Sequence, residues 1–121
     1  MTATYDFIGT EACKQNATFK AMLTWNNSSN APYNLSNYSA YMDVRSNATA
    51  PVSICSLSRA NNMLILNSLG TIEILIPESV TSRLLEGSYL YDIIMLENTS
   101  GFATRLLEGR FEVVPGITVL P

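Results

Sequence analysis

One stretch constrains the fold more than any other: Leu85-Glu86-Gly87-Ser88-Tyr89-Leu90-Tyr91-Asp92-Ile93-Ile94-Met95-Leu96. Read as a strand entered through a glycine, it puts Tyr89, Tyr91, Ile93 and Met95 on one face and Leu90, Asp92, Ile94 and Leu96 on the other. Both faces are then largely apolar. A strand with one solvated face alternates apolar and polar, so this one is expected to be central in a sandwich, or covered on its second face by a partner.

The rest of the chain supplies further strands. Thr4 to Ile8 is short and β-prone and ends at Gly9, which suits an edge strand or an arm within residues 1–16. From Ala17 to Trp25 the residues Phe19, Ala21, Leu23 and Trp25 share a side. Asn26 to Pro32 is a loop by composition. Beyond it Tyr38, Ala40, Met42 and Val44 oppose Ser39, Tyr41, Asp43 and Arg45, a second amphipathic strand expected to pair with the first. Val52 to Leu57 alternates weakly, and Met63-Leu64-Ile65-Leu66 is apolar throughout. Asn67-Ser68-Leu69-Gly70 is a turn into Thr71–Ile76, where three isoleucines make a β-branched inner face that stops at Pro77.

Ser79 to Glu86 is the one helical segment expected, with Ser79 as cap and Gly87 in the left-handed position after its last turn. After the organising strand, Glu97-Asn98-Thr99-Ser100-Gly101 reads as a hairpin turn into Phe102–Glu108, and Gly109 as a bulge before Arg110–Val114. The recurrence of Arg-Leu-Leu-Glu-Gly at 83–87 and 105–109 has no longer period behind it and carries no repeat architecture. Roughly seven or eight short strands, one helical corner and no βαβ rhythm predict an all-β fold, an antiparallel immunoglobulin-like β-sandwich forming a single domain over 1–121. The spacing Leu85-x-Gly87-x-Tyr89-x-Tyr91 has the form of a tyrosine corner.

Composition narrows the function. Only 14% of residues are charged, against roughly 25% in ordinary soluble domains. A surface poor in ions and rich in Asn, Ser and apolar groups suits burial in an assembly; the alternative is a monomer solubilised by Asn and Ser. A net charge of −3 with seven scattered cations argues against nucleic acid and against anionic membranes. The first residues show no export signal and no run is long enough to span a membrane, so synthesis in the cytoplasm is expected. Cys13 and Cys55 are then expected to be reduced rather than paired. Asn-x-Ser/Thr triplets at Asn16, Asn26, Asn27, Asn34, Asn37, Asn47 and Asn98 match the glycosylation acceptor, but read more simply as turn vocabulary.

Catalytic chemistry finds little footing. There is no histidine, hence no imidazole base, no Ser-His relay and no His-based zinc site. No calcium-loop or phosphate-loop spacing occurs, so neither metal nor cofactor is expected. The nearest glycosidase-like carboxylates are Glu108 with Glu73 or Asp92, for which a structural Asp92–Arg105 cross-strand pair is the simpler reading. Trp25, Tyr33, Tyr38 and Tyr41 lie close in sequence and raise a sugar-stacking alternative.

Several motifs together resemble a known family. Trp25-Asn26-Asn27-Ser28, Pro32-Tyr33-Asn34-Leu35-Ser36-Asn37-Tyr38-Ser39-Ala40-Tyr41-Met42-Asp43-Val44-Arg45, Leu85-x-Gly87-x-Tyr89-x-Tyr91-Asp92-Ile93 and Thr104-Arg105-Leu106-Leu107-Glu108-Gly109-x-Phe111-x-Val113-x-Pro115 are similar to a profile of small bacteriophage structural proteins. The resemblance is to the N-terminal β-sandwich domain of phage baseplate upper proteins and covers most of the chain beyond Ala17. It implies a virion component without enzymatic activity, docking onto tail, baseplate, neck or fibre components in a symmetric multi-copy assembly. A capsid decoration protein and a carbohydrate-binding adhesion module are the alternatives. Two positions depart from the profile: Asn37 replaces a Gly before Tyr38, which Asn tolerates because it enters left-handed conformations readily, and Ile94 stands where relatives carry a charge. The second change enlarges the apolar outer face, and the expected docking residues are Leu90, Ile94 and Leu96, with Tyr41 and Arg45.

Overall fold

Ile72, Ile74 and Ile76 are fully buried, and around them two sheets close on one core. In the computed structural model, which describes residues 3–26, 29–47, 49–50 and 52–119, the order is β1 (Ala3–Thr4), a 3-10 turn (Gly9–Glu11), β2 (Cys13–Lys14), β3 (Phe19–Thr24), β4 (Tyr38–Arg45), β5 (Cys55–Ser58), β6 (Leu64–Leu66), β7 (Thr71–Ile76), α1 (Glu78–Thr81), β8 (Gly87–Glu97) and β9 (Ala103–Val114). The fold is all-β. Sequence expectations for Asn27, Ser28, Ala48 and Pro51 lie outside the described residues.

The large sheet runs β1–β9–β8–β4–β5, with β2 also against β9, and the small sheet runs β3–β7–β6. The organising strand β8 is therefore central. Its inner residues Tyr91, Ile93 and Met95 join Ala40, Met42 and Val44 of β4, Phe111 of β9 and the isoleucines of β7 in one buried cluster. Fully burying an aliphatic side chain of this size is worth about 1.5–3 kcal/mol, so strict alternation over β4 and β7 fixes their register against slippage.

Four expectations are corrected. The strand Phe19–Thr24 does not pair with Tyr38–Arg45. It pairs with β7, while β4 lies between β8 and β5. The intervening loop crosses between sheets, pinned where buried Leu35 donates its N–H to the Asn67 carbonyl at 3.1 Å. The helix is one turn placed a residue earlier, entered from Pro77 with no side-chain cap, and Gly87 opens β8 instead of ending the helix. Proline preset at the helix entrance explains the shift. The strand expected from Val52 begins only at Cys55, and Val52 is exposed.

The fourth correction concerns Gly109, which is no bulge. The register of β8 with β9 jumps from Ile93–Leu107 to Ile94–Arg105, leaving Leu106 as the extra residue. That bulge lets the adjacent Leu106 and Leu107 both pack on the core, where an unbroken strand would turn one of them outward. Gly109 serves the N-terminal arm instead. A Cβ there would lie 2.0 Å from the Tyr5 carbonyl oxygen.

The arm itself is an edge element. Residues 3–14 run parallel to β9, with Tyr5 and Phe7 donating to the carbonyls of Glu108 and Arg110 at 3.0 and 2.9 Å. Phe7 enters the core beside Phe19, Tyr91 and Phe111. Among the described residues the left-handed non-glycine positions are Asn16, Asn30 and Asn62. Asn37 is not among them; its side-chain amide donates to Thr99 Oγ1 at 2.6 Å.

Candidate interface on the outer face of the large sheet

Because directly paired residues of antiparallel strands point to the same side, the register assembles the outer face row by row. Arg45 lies opposite Leu90, which lies opposite Arg110; Asp43 lies opposite Asp92, which lies opposite Glu108; Tyr41 lies opposite Ile94, which lies opposite Arg105. Ser39 pairs with Leu96 beyond them. All five docking residues expected from the sequence thus share one face of the sheet. Tyr41 is 49% exposed and Leu90 41%, while Ile94 and Leu96 are half-buried among their neighbours. The N-terminal arm lies along the sheet edge and does not cover this face.

The face is less uniformly apolar than β8 alone suggested. Arg105 reaches Asp92 at 3.3 Å across the strands and Glu108 at 3.8 Å along its own. The Asp92–Arg105 pair was legible in the sequence, whereas the second contact depends on the Leu106 bulge. Arg45 donates to Asp43 at 3.0 Å and to the Ala50 carbonyl at 2.7 Å, and Ser56 Oγ donates to the other Asp43 oxygen at 2.8 Å. Between these rows lies an open trough of about 610 Å³, lined by Thr4, Asp6, Asp43, Arg45, Leu90, Asp92 and their neighbours. Its lining carries both signs of charge around Leu90. These ion pairs are exposed and individually worth little, about 0–1 kcal/mol, so they remain free to exchange partners.

The carboxylates considered for catalysis separate here. Glu108 does meet Asp92 in the cross-strand register, on the open face with Arg105 between them, while Glu73 belongs to β7 of the small sheet. Of the four aromatics considered for sugar stacking, three come together and Tyr41 does not. Trp25 and Tyr33 stack on each other with centroids 4.4 Å apart, Tyr38 packs edge-on to Trp25 at 5.6 Å, and Tyr41 points to the outer face of the large sheet.

Cys13 and Cys55 are free, buried thiols. Burial pushes each up to about 11, which leaves little nucleophilic thiolate near neutrality. Among the described residues no group of three or more Cys, Asp or Glu side chains is placed to hold a metal ion, and no helix is long and apolar enough to cross a membrane. Two asparagines of the Asn-x-Ser/Thr triplets bond locally as turn residues do: Asn34 Oδ1 accepts from the Ser36 N–H at 3.0 Å and hydroxyl at 2.7 Å, and Asn47 Oδ1 from the Thr49 N–H and hydroxyl, both at 3.0 Å. No protein-family model matches the chain, and no curated protein matches it either.

Proposed function

We propose that the chain is a non-enzymatic structural protein of a bacteriophage virion, an immunoglobulin-like sandwich that docks onto tail, baseplate, neck or fibre components through the outer face of its large sheet. The sandwich assignment is supported by the strand order, with β3–β7–β6 facing β9–β8–β4–β5 and the arm on β9. It is also supported by Tyr89, whose hydroxyl donates to the Leu85 carbonyl at 2.8 Å just before the penultimate strand begins in earnest, as a tyrosine corner does. The virion assignment leans on the family resemblance of the sequence motifs.

The observation that carries the docking role is the convergence of Tyr41, Leu90, Ile94 and Leu96 on one face that no described element covers. Apolar side chains gathered on a sheet face around exchangeable ion pairs fit a contact with another assembly subunit, since burying them recovers about 25 cal/mol per Å². The test is Ile94→Lys, compared with Met22→Lys on the outer face of the small sheet. Ile94→Lys is expected to fold and yet be missing from purified particles, with Met22→Lys incorporated normally. Normal incorporation of Ile94→Lys, or absence of the wild-type chain from particles, would overturn the reading.

A further inference from the structure

The outer face carries its charges in bands. Along the strands, a basic row (Arg45, Leu90, Arg110) is followed two residues on by an acidic row (Asp43, Asp92, Glu108), about 7 Å away. Two residues on again comes the row of Tyr41, Ile94 and Arg105; on the other side of the basic row Ser88 pairs with Glu112. The signs thus run acidic, basic, acidic, basic. Such banding carries information about what can lie against it.

We infer that the occupant of this face is a second copy of the same chain, related by a two-fold axis parallel to the sheet and midway between the two copies, running across the strands between the basic and acidic rows. That operation reverses position along the strands and preserves position across them. Arg45 then meets Asp43 of the second copy, Arg110 meets its Glu108, Leu90 meets its Asp92, and the Arg105 row meets the Glu112 row. Every contact is made twice. A two-fold parallel to the strands would instead set basic row on basic row. An axis one row further on would leave only a single row of opposite charges matched.

The trough of about 610 Å³ sits at the centre of this arrangement, lined by the two innermost rows. Two sheets packed face to face stand about 10 Å apart, a gap that paired Arg and Asp side chains span from opposite sides. Arg45 is bound to Asp43 of its own chain at 3.0 Å, Arg105 to Asp92 and Glu108 at 3.3 and 3.8 Å, and Arg110 to Asp6 at 3.2 Å. On association each arginine gains a further carboxylate, which joins these contacts into one network. The arrangement lets the two copies dock without leaving an unpaired charge buried.

This inference rests on the docking reading above, since both place the outer face in contact. The decisive test is a charge exchange between copies, read by sedimentation velocity on the purified chain. Arg45→Asp sets like charges against Asp43 of the second copy, and Asp43→Arg sets like charges against its Arg45, so each variant alone is expected to be monomeric. Mixed together, they restore both contacts and are expected to form a heterodimer. The wild-type dimer is expected to weaken in 1 M salt, where charges are screened within about 3 Å.

Thermal melts of each variant guard against simple loss of folding. A mixture that stays monomeric while both variants melt like wild type, or a wild-type chain that sediments as a monomer, overturns the second-copy inference. If Ile94→Lys is nevertheless excluded from particles, the docking reading stands without it. If the charge-exchanged pair dimerises while Ile94→Lys enters particles normally, the inference stands and the docking reading falls.

Discussion

Tyr5 shows how a single carbonyl can dictate a residue at the far end of the chain. Its oxygen accepts from the Tyr91 hydroxyl at 2.5 Å, and it passes so close to Gly109 that a Cβ there would lie 2.0 Å away. Burial holds the Tyr91 hydroxyl well above the usual tyrosine range, so it stays a donor. Gly109→Ala is therefore expected to push the arm off β9 at a cost of about 1–3 kcal/mol. The cost is read from the urea midpoint, together with lost exchange protection at the Tyr5 and Phe7 amides; an unchanged midpoint would mean that the arm is not held there. A glycine in a strand does flag something in the sequence, but the flag is ambiguous between a bulge and a close approach. The approaching backbone belongs to residues that local pattern cannot connect to β9.

At the scale of elements, the strands that alternate strongly were legible and their partners were not. β4 and β7 occupy the residues that their patterns mark out, because one face of each is buried and alternation is its direct consequence. Pairing depends on how a loop travels, and the loop between β3 and β4 crosses to the other sheet where a hairpin was expected. The Leu106 bulge was hidden for a related reason, since two consecutive leucines are compatible with either a regular strand or an inserted residue. The arm supplies a pH test. The Arg110 backbone N–H at 2.9 Å, and then its guanidinium at 3.2 Å, hold the Asp6 carboxyl below its usual range. The folded value lies below the unfolded one, so the contribution is present above about pH 4 and is lost as pH falls through the folded value. Protection factors of the Tyr5 and Phe7 amides are accordingly expected to fall as the pH drops below about 4 while those of β7 hold. Loss in step with β7 would show that the arm is not a separate unit.

The molecule presents two outer sheet faces of different character. The small sheet turns Lys20, Met22 and Thr24 of β3 outward, with Glu73 of β7 opposite Met22 and exposed Ile65 of β6 beyond it, apolar side chains without alternating rows of charge. The large sheet gathers Tyr41, Leu90, Ile94 and Leu96 around banded charges. The sequence pointed to these residues through the doubled apolar character of β8 and to the Asp92–Arg105 pair, yet it could not show the full charged rows, because Asp43 and Glu108 join them only through cross-strand register. That the large sheet's outer face is a contact surface is tested most directly by hydroxyl-radical footprinting of the native assembly against the isolated chain, with Met22, 60% exposed, as the internal standard. The account predicts that oxidation of Tyr41 and Leu90 drops sharply in the assembly while Met22 reacts as before; equal oxidation of Tyr41 and Leu90 in both states would contradict it.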